Sequence, residues 1–255
     1  MLRSYDTLFI AKHDGKLVFN EEVSGGKWFF PDEIKKRIQT ILVPDLSTPL
    51  RGIYKMSKIA IDVVLLPPKE IMDLCIKLNK TITGFRKIEL DKEKCLPHIS
   101  LCMGTLDEKD IPKVRKIIGA ISRPGAILNL EIYEIRNKED NSNFAIKKTE
   151  ELQQLHEKIM KKLEFFTSNE ATLEMLFTPP TPEERTLFWI NNYREKFSFR
   201  NFYPHITLGL GPMTPNIPFP IRFKASRLAL CYLGNYCTCR KIFFETELKI
   251  ITKSL

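Results

Sequence analysis

Pro97-His98-Ile99-Ser100-Leu101 and Pro204-His205-Ile206-Thr207-Leu208 are one five-residue sentence written twice. Each copy runs proline, histidine, isoleucine, hydroxyl residue, leucine, and a glycine comes soon after, Gly104 in one copy and Gly209 in the other. Side chains alternate between the two faces of a strand. His98 and Ser100 therefore share one face and Ile99 and Leu101 the other; His205 and Thr207 likewise oppose Ile206 and Leu208. Proline is tolerated at the first position of a strand, which suits Pro97 and Pro204. Two such strands laid side by side bring two imidazoles and two hydroxyls to one groove. A neutral imidazole takes a proton from an attacking oxygen, and an imidazolium gives one to a leaving oxygen. Hydroxyls can hold non-bridging phosphate oxygens and the charge that develops on them. The set suits phosphodiester chemistry without a metal.

On these two motifs the chain resembles the 2H phosphoesterase superfamily. That group includes the 2′-5′ RNA ligase-like proteins, the 2′,3′-cyclic nucleotide phosphodiesterases and the 2′-5′-oligoadenylate phosphodiesterases. The resemblance covers about residues 58–250. It implies an α+β fold of two pseudo-symmetric sheet-and-helix lobes around a central groove. It also implies His98 and His205 as catalytic residues and Ser100 and Thr207 as phosphate-binding residues. The expected activity is metal-independent hydrolysis of RNA-type phosphodiesters, either 2′,3′-cyclic phosphates or 2′-5′ linkages. An RNA 2′-5′ ligase, or a non-catalytic RNA-binding protein, would use the same groove. No cofactor is expected, and the expected partner is RNA or a nucleotide; the oligomeric state is open, with a monomer assumed. Which histidine is acid and which is base stays open.

The rest of the chain fills in this outline. Of 255 residues, 40 are Lys or Arg and 31 Asp or Glu, a net charge of +9 that suits a phosphate-bearing partner. Six cysteines are scattered. Cys75, Cys102 and Cys231 lie in apolar patterns and are expected as buried thiols, as suits the cytosol or nucleus. Cys237-Thr238-Cys239 lacks the second close pair that a zinc site needs. Arg3, Asp6 and Lys12 interrupt any early apolar run, so no leader is expected, nor any membrane span. There is no Gly-x-Ser-x-Gly elbow and no phosphate-cradling glycine loop with lysine.

Residues 1–57 lie outside the resemblance and read as an extension, a hairpin around Asp14-Gly15 and then a helix from Pro31, packed on a main body of residues 58–255. In the main body, Ile59–Leu66 reads as a strand and Lys69 to about Lys80 as a helix. Glu108–Ile121 is a second helix. Ile127–Ile135 and Asn143–Lys147 make a strand pair, and Thr149 caps a helix running to about Phe165. Thr172–Leu176 is a strand candidate. Arg222–Leu233 and Arg240–Ile250 close the chain.

Around the groove, Tyr203 is the best candidate to stack on a base, whereas Trp189 and Phe188 read as a lobe's apolar face. Arg86, Lys87, Arg194 and Arg200 are candidates for flanking phosphates. Strict alternation puts Cys102 and Gly209 on the groove side, where small residues leave room for phosphate. His156, among Gln154, Glu157 and Lys158, reads as a solvated helix position.

Overall fold

The computed structural model describes residues 58–82, 88–123, 127–137, 141–177 and 184–249. The extension of residues 1–57, with its expected hairpin and helix, lies outside the described residues, as do Arg86 and Lys87.

Two antiparallel sheets carry the main body. The strands are β1 (Lys58–Leu66), β2 (Ile99–Asp107), β3 (Leu128–Asn137), β4 (Ser142–Ile146), β5 (Thr167–Ser168), β6 (His205–Gly209), β7 (Ile221–Ala225), β8 (Arg227–Leu233) and β9 (Cys239–Glu247). The helices are α1 (Lys69–Asn79), α2 (Ile111–Ser122), α3 (Glu150–Leu163) and α4 (Glu184–Asn192). One sheet has the order β5-β2-β1-β8-β9 and the other β6-β4-β3-β7. Each motif strand lies beside the strand that precedes the helix leading to it. β2 pairs with β1, with α1 between them in the chain. β6 pairs with β4, with α3 and α4 between them. The short β5 touches β2 only at Thr105 and Leu106, beyond the motif. The fold is therefore the expected α+β pair of lobes, with a motif strand at the corresponding place in each.

Local chemistry explains most elements. β1 is buried along nearly its whole length, as its aliphatic run, interrupted only by Asp62, requires. Proline near the start of α2 needs no N–H there. Thr149 accepts the Leu152 N–H at 3.3 Å, which is the expected cap of α3. Leu152, Ile159 and Leu163 then turn inward at helical spacing.

Four expectations are corrected. Arg222–Leu233 is not one strand, because β7 pairs with β3 in one lobe and β8 with β1 in the other. The chain changes lobes at Ser226, and no break in the apolar pattern marks the crossing. Thr172–Leu176 is a short 3₁₀ turn rather than a strand. The Asn191 side chain takes up the backbone of Ala171 just before it, accepting from its N–H at 2.6 Å and donating to its carbonyl at 3.2 Å. Cys231 is not a thiol but is bonded to Cys239. Bulges in the β8–β9 pairing bring their Cα atoms to 5.6 Å, within disulfide range.

The fourth correction concerns Gly209. It faces the end of α1 rather than the groove. A Cβ there would lie 2.7 Å from Ile82 Cδ1 and 2.9 Å from Asn79 Nδ2, on a backbone with φ of +152°. The contact stitches the lobes together. Buried Asn79 donates to the carbonyl of Leu208 in the second motif strand at 2.7 Å and to that of Ile88 at 2.6 Å, and it accepts the Leu90 N–H at 3.0 Å. Gly209→Ala should therefore destabilise the fold by about 1–3 kcal/mol, the usual cost of overpacking. A lowered melting temperature in a thermal denaturation series checks it; an unchanged one would mean the two lobes do not depend on this approach.

Candidate active site

Each motif histidine is held by the same device. The proline before it has no N–H, and the carbonyl one residue further back turns to the ring. His98 Nδ1 lies 2.8 Å from the Leu96 carbonyl, and His205 Nδ1 lies 2.9 Å from the Tyr203 carbonyl. A carbonyl only accepts, so in the neutral ring Nδ1 carries the hydrogen and Nε2 keeps its lone pair. The Leu96 end is itself anchored, since its N–H donates to the Cys239 carbonyl of β9 at 3.1 Å.

Both imidazoles, Ser100 and Thr207 line one cavity of about 370 Å³. The rings are close enough that the charge of one acts on the other, helping to depress the His98 pKa. Burial is the larger cause and brings His98 down to about 4. Tyr203 also lines the cavity. Its ring stacks on His205 at 5.3 Å between centroids, the Arg136 guanidinium lies 4.9 Å from it, and its hydroxyl donates to Asn143 Oδ1 at 3.3 Å. Tyr203 thus braces the second histidine, a task beyond the base stacking expected of it.

Other expected residues are elsewhere. Arg194 donates to Glu164 at 2.5 Å and lies over the Phe199 ring, and neither it nor Arg200 is among the residues lining the cavity. Among the described residues the lining cation is Arg185 of α4, joined by Thr186. Only the fold could single these out, since nothing in the sequence of α4 sets Arg185 apart from the other basic residues before the second motif. Trp189, read as part of a lobe's apolar face, lines the cavity with Phe197, their rings 4.6 Å apart, while Phe188 is exposed. Cys102 does not reach the groove. The β1–β2 register slips at Val63 and Val64, leaving Leu101 as an extra residue, so Met103 rather than Cys102 lines the cavity beyond Ser100.

Behind the groove, one residue differs from its sequence reading and another carries no reading at all. His156 is fully buried, not solvated. Its Nδ1 donates to the carbonyl of Leu101 at 2.8 Å, and its Nε2 accepts the Phe199 N–H at 2.8 Å. The ring lies flat on Phe202 at 4.0 Å. It thereby ties the bulge of the first motif to the segment that enters the second. Polar neighbours in sequence hid it, because the helix turns His156 toward the core with Leu152, Ile159 and Leu163 and its neighbours away. The other is Asp62, fully buried in the middle of β1. A carboxyl inside an eight-residue apolar run was the available signal.

No known family's sequence profile matches this chain, and no curated protein does. Among solved structures the chain is similar to TT0787 of Thermus thermophilus, at 16% identity and a TM-score of 0.48, over 76% of this chain and 100% of that one. It is similar to a protein described as a phosphoesterase, at 15% identity and a TM-score of 0.45, over 76% of this chain and 99% of that one. It is also similar to LigT of E. coli complexed with 3′-AMP, at 13% identity and a TM-score of 0.45, again over 76% and 99%.

Proposed function

We propose that this chain is a 2H-type phosphoesterase that hydrolyses RNA-type phosphodiesters without a metal, acting on 2′,3′-cyclic phosphates or 2′-5′ linkages. One observation carries the reading: two imidazoles, each pinned through Nδ1 so that Nε2 carries the lone pair, line a single cavity together with two hydroxyls. That is the equipment for moving two protons around one phosphorus.

On a cyclic phosphate, one imidazole takes a proton from water as the water oxygen bonds to phosphorus. The other, as imidazolium, gives a proton to the ribose oxygen as its bond to phosphorus breaks. Ser100 and Thr207 donate to the non-bridging oxygens. Trp189 and Phe197 provide an aromatic wall for an unpaired base.

The test is a panel run in parallel: RNA ending in a 2′,3′-cyclic phosphate, 2′-5′-linked oligoadenylate, and ADP-ribose cyclic phosphate, each with and without EDTA. Turnover of at least one, unchanged by chelator and with a bell-shaped pH profile, is expected. Activity that vanished with EDTA and returned with zinc would overturn the metal-free mechanism. Salt-sensitive RNA binding with no turnover would favour a binding protein instead, and joining of ends in place of cleavage would favour a ligase.

A further inference from the structure

The two motifs match, but the floor beneath them does not. Below the first lies Asp62, wholly inaccessible to solvent, on the same face of the sheet as Ser100 and Met103. Its Oδ1 accepts the Cys102 N–H at 3.3 Å, at the bulge, and the Leu101 N–H and, when no phosphate takes its hydrogen, the Ser100 hydroxyl also act to hold the carboxyl ionised. Its Oδ2 has no hydrogen-bond partner among the described residues. That orphan oxygen lies 4.0 Å from His98 Nε2. Since His98 Nδ1 is committed to the Leu96 carbonyl, the neutral ring has its lone pair on Nε2, the ring atom nearest Oδ2. A fully buried carboxyl oxygen with no donor, beside a second acceptor, is a costly arrangement. A single proton relieves both, whether it rests on the carboxyl or on the ring. The gap exceeds a hydrogen bond by about 1 Å.

We propose that Asp62 and His98 hold one proton between them, and that His98 is thereby the group that protonates the leaving oxygen. This rests on the phosphodiesterase reading above. Asp62 acts through His98 and is a positioning residue. The other titratable groups around it stay neutral: the Tyr193 phenol and the Cys102 and Cys237 thiols are all pushed upward by burial. Cys231, across from Asp62 on β8, is in a disulfide, and the charge of Arg194 acts on Cys102. Burial pushes the carboxyl up to about 7 and the ring down to about 4, so without a bound phosphate the shared proton rests on Asp62 below neutral pH. A bound anionic phosphate favours an imidazolium beside it and draws the proton across to Nε2. In the reaction that proton goes to the ribose oxygen as the phosphorus–oxygen bond breaks. His205 takes the proton of the attacking water and later releases it to solvent. The Asp62–His98 pair takes up another proton to begin the next turnover.

Leaving-group dependence tests this. The substrates are a nucleoside 2′,3′-cyclic phosphate, whose ribose oxygen needs a proton to leave, and the 4-nitrophenyl ester of a nucleoside 3′-phosphate, whose phenolate does not. Asp62→Asn keeps an oxygen for the bulge N–H but cannot pass on a proton. It should lower kcat on the cyclic phosphate about 10²-fold, the scale of one general acid, and cost less than about tenfold on the aryl ester. His98→Ala should show the same rescue, and His205→Ala should be impaired on both. The alkaline limb of the pH profile should move acidward by at least about one unit in Asp62→Asn, because His98 must then hold its proton alone. Equal losses on both substrates in Asp62→Asn, or rescue of His205→Ala instead, would overturn the proposal while leaving the phosphoesterase reading intact. If the unmodified protein cleaves neither of these nor any substrate of the panel above, it is that reading that fails. A nitrogen-15 NMR titration of the histidine rings in the unmodified protein decides the proton question without turnover. With inorganic phosphate bound, His98 Nε2 should gain a proton near neutral pH, and a ring that stays neutral down to about pH 5 would refute the shared proton.

Discussion

His205→Ala is expected to lower kcat on a 2′,3′-cyclic phosphate by about 10²–10⁴-fold, and His98→Ala by a similar factor, because each removes one of two proton transfers that occur in the same step. The double variant should be little worse than the poorer single one, since groups that act as a unit are not additive. Folding gives no reason for such losses. Each ring lines the cavity, so water can take its place against the carbonyl that holds it. The measurement is steady-state kinetics beside far-ultraviolet circular dichroism of each variant. A folded His205→Ala protein with near-normal turnover would remove the second imidazole from the chemistry, and the two-histidine reading with it.

The second large effect is on stability. His156→Ala should cost on the order of 4 kcal/mol and lower the melting temperature by roughly 10 °C. It leaves a cavity beneath Phe202 and strands the Phe199 N–H and the Leu101 carbonyl without their partner. Burial also holds the His156 pKa down at about 4, against an ordinary value of 6.5. Between those two values the unfolded chain binds a proton that the folded one refuses. The stability due to neutral His156 is therefore complete above pH 6.5 and is lost as the pH falls toward 4, with a slope of at most about 1.4 kcal/mol per pH unit. His98 has the same sign. Asp62 has the opposite sign, because its raised pKa makes the folded state take up a proton as the pH falls through 7. Comparing melting temperatures of the unmodified protein and His156→Gln from about pH 7.5 to about 4.5 isolates one ring. The gap between them should narrow on acidification, and a constant gap would show that His156 is not the neutral clamp described here.

Sequence patterns read well wherever burial follows a period. β1 is aliphatic but for Lys58 and Asp62 because it lies between β2 and β8, inside its sheet. α3 shows its apolar stripe and its threonine cap in plain succession. Patterns failed where one contact overrides a period. The Asn191 amide takes the backbone of Ala171 away from strand pairing. The extra residue at Leu101 turns Met103, not Cys102, toward the groove. β7 and β8 read as one strand because both are buried on the expected face, although they belong to different lobes.

From the order of residues alone, the repeated frame around His98 and His205 determined which side chains face away from the core, because alternation along a strand is a local property of the backbone. Local sequence also determined the proline and carbonyl that pin each ring, since both lie within two residues of it. That the two frames open onto one cavity was decided only by tertiary structure, through Asn79 reaching Leu208 and His156 bridging Leu101 to Phe199. The same holds for the carboxyl of Asp62 beneath one histidine: strand pairing carries it there from far along the chain, and no pattern within a single strand records what lies across the sheet.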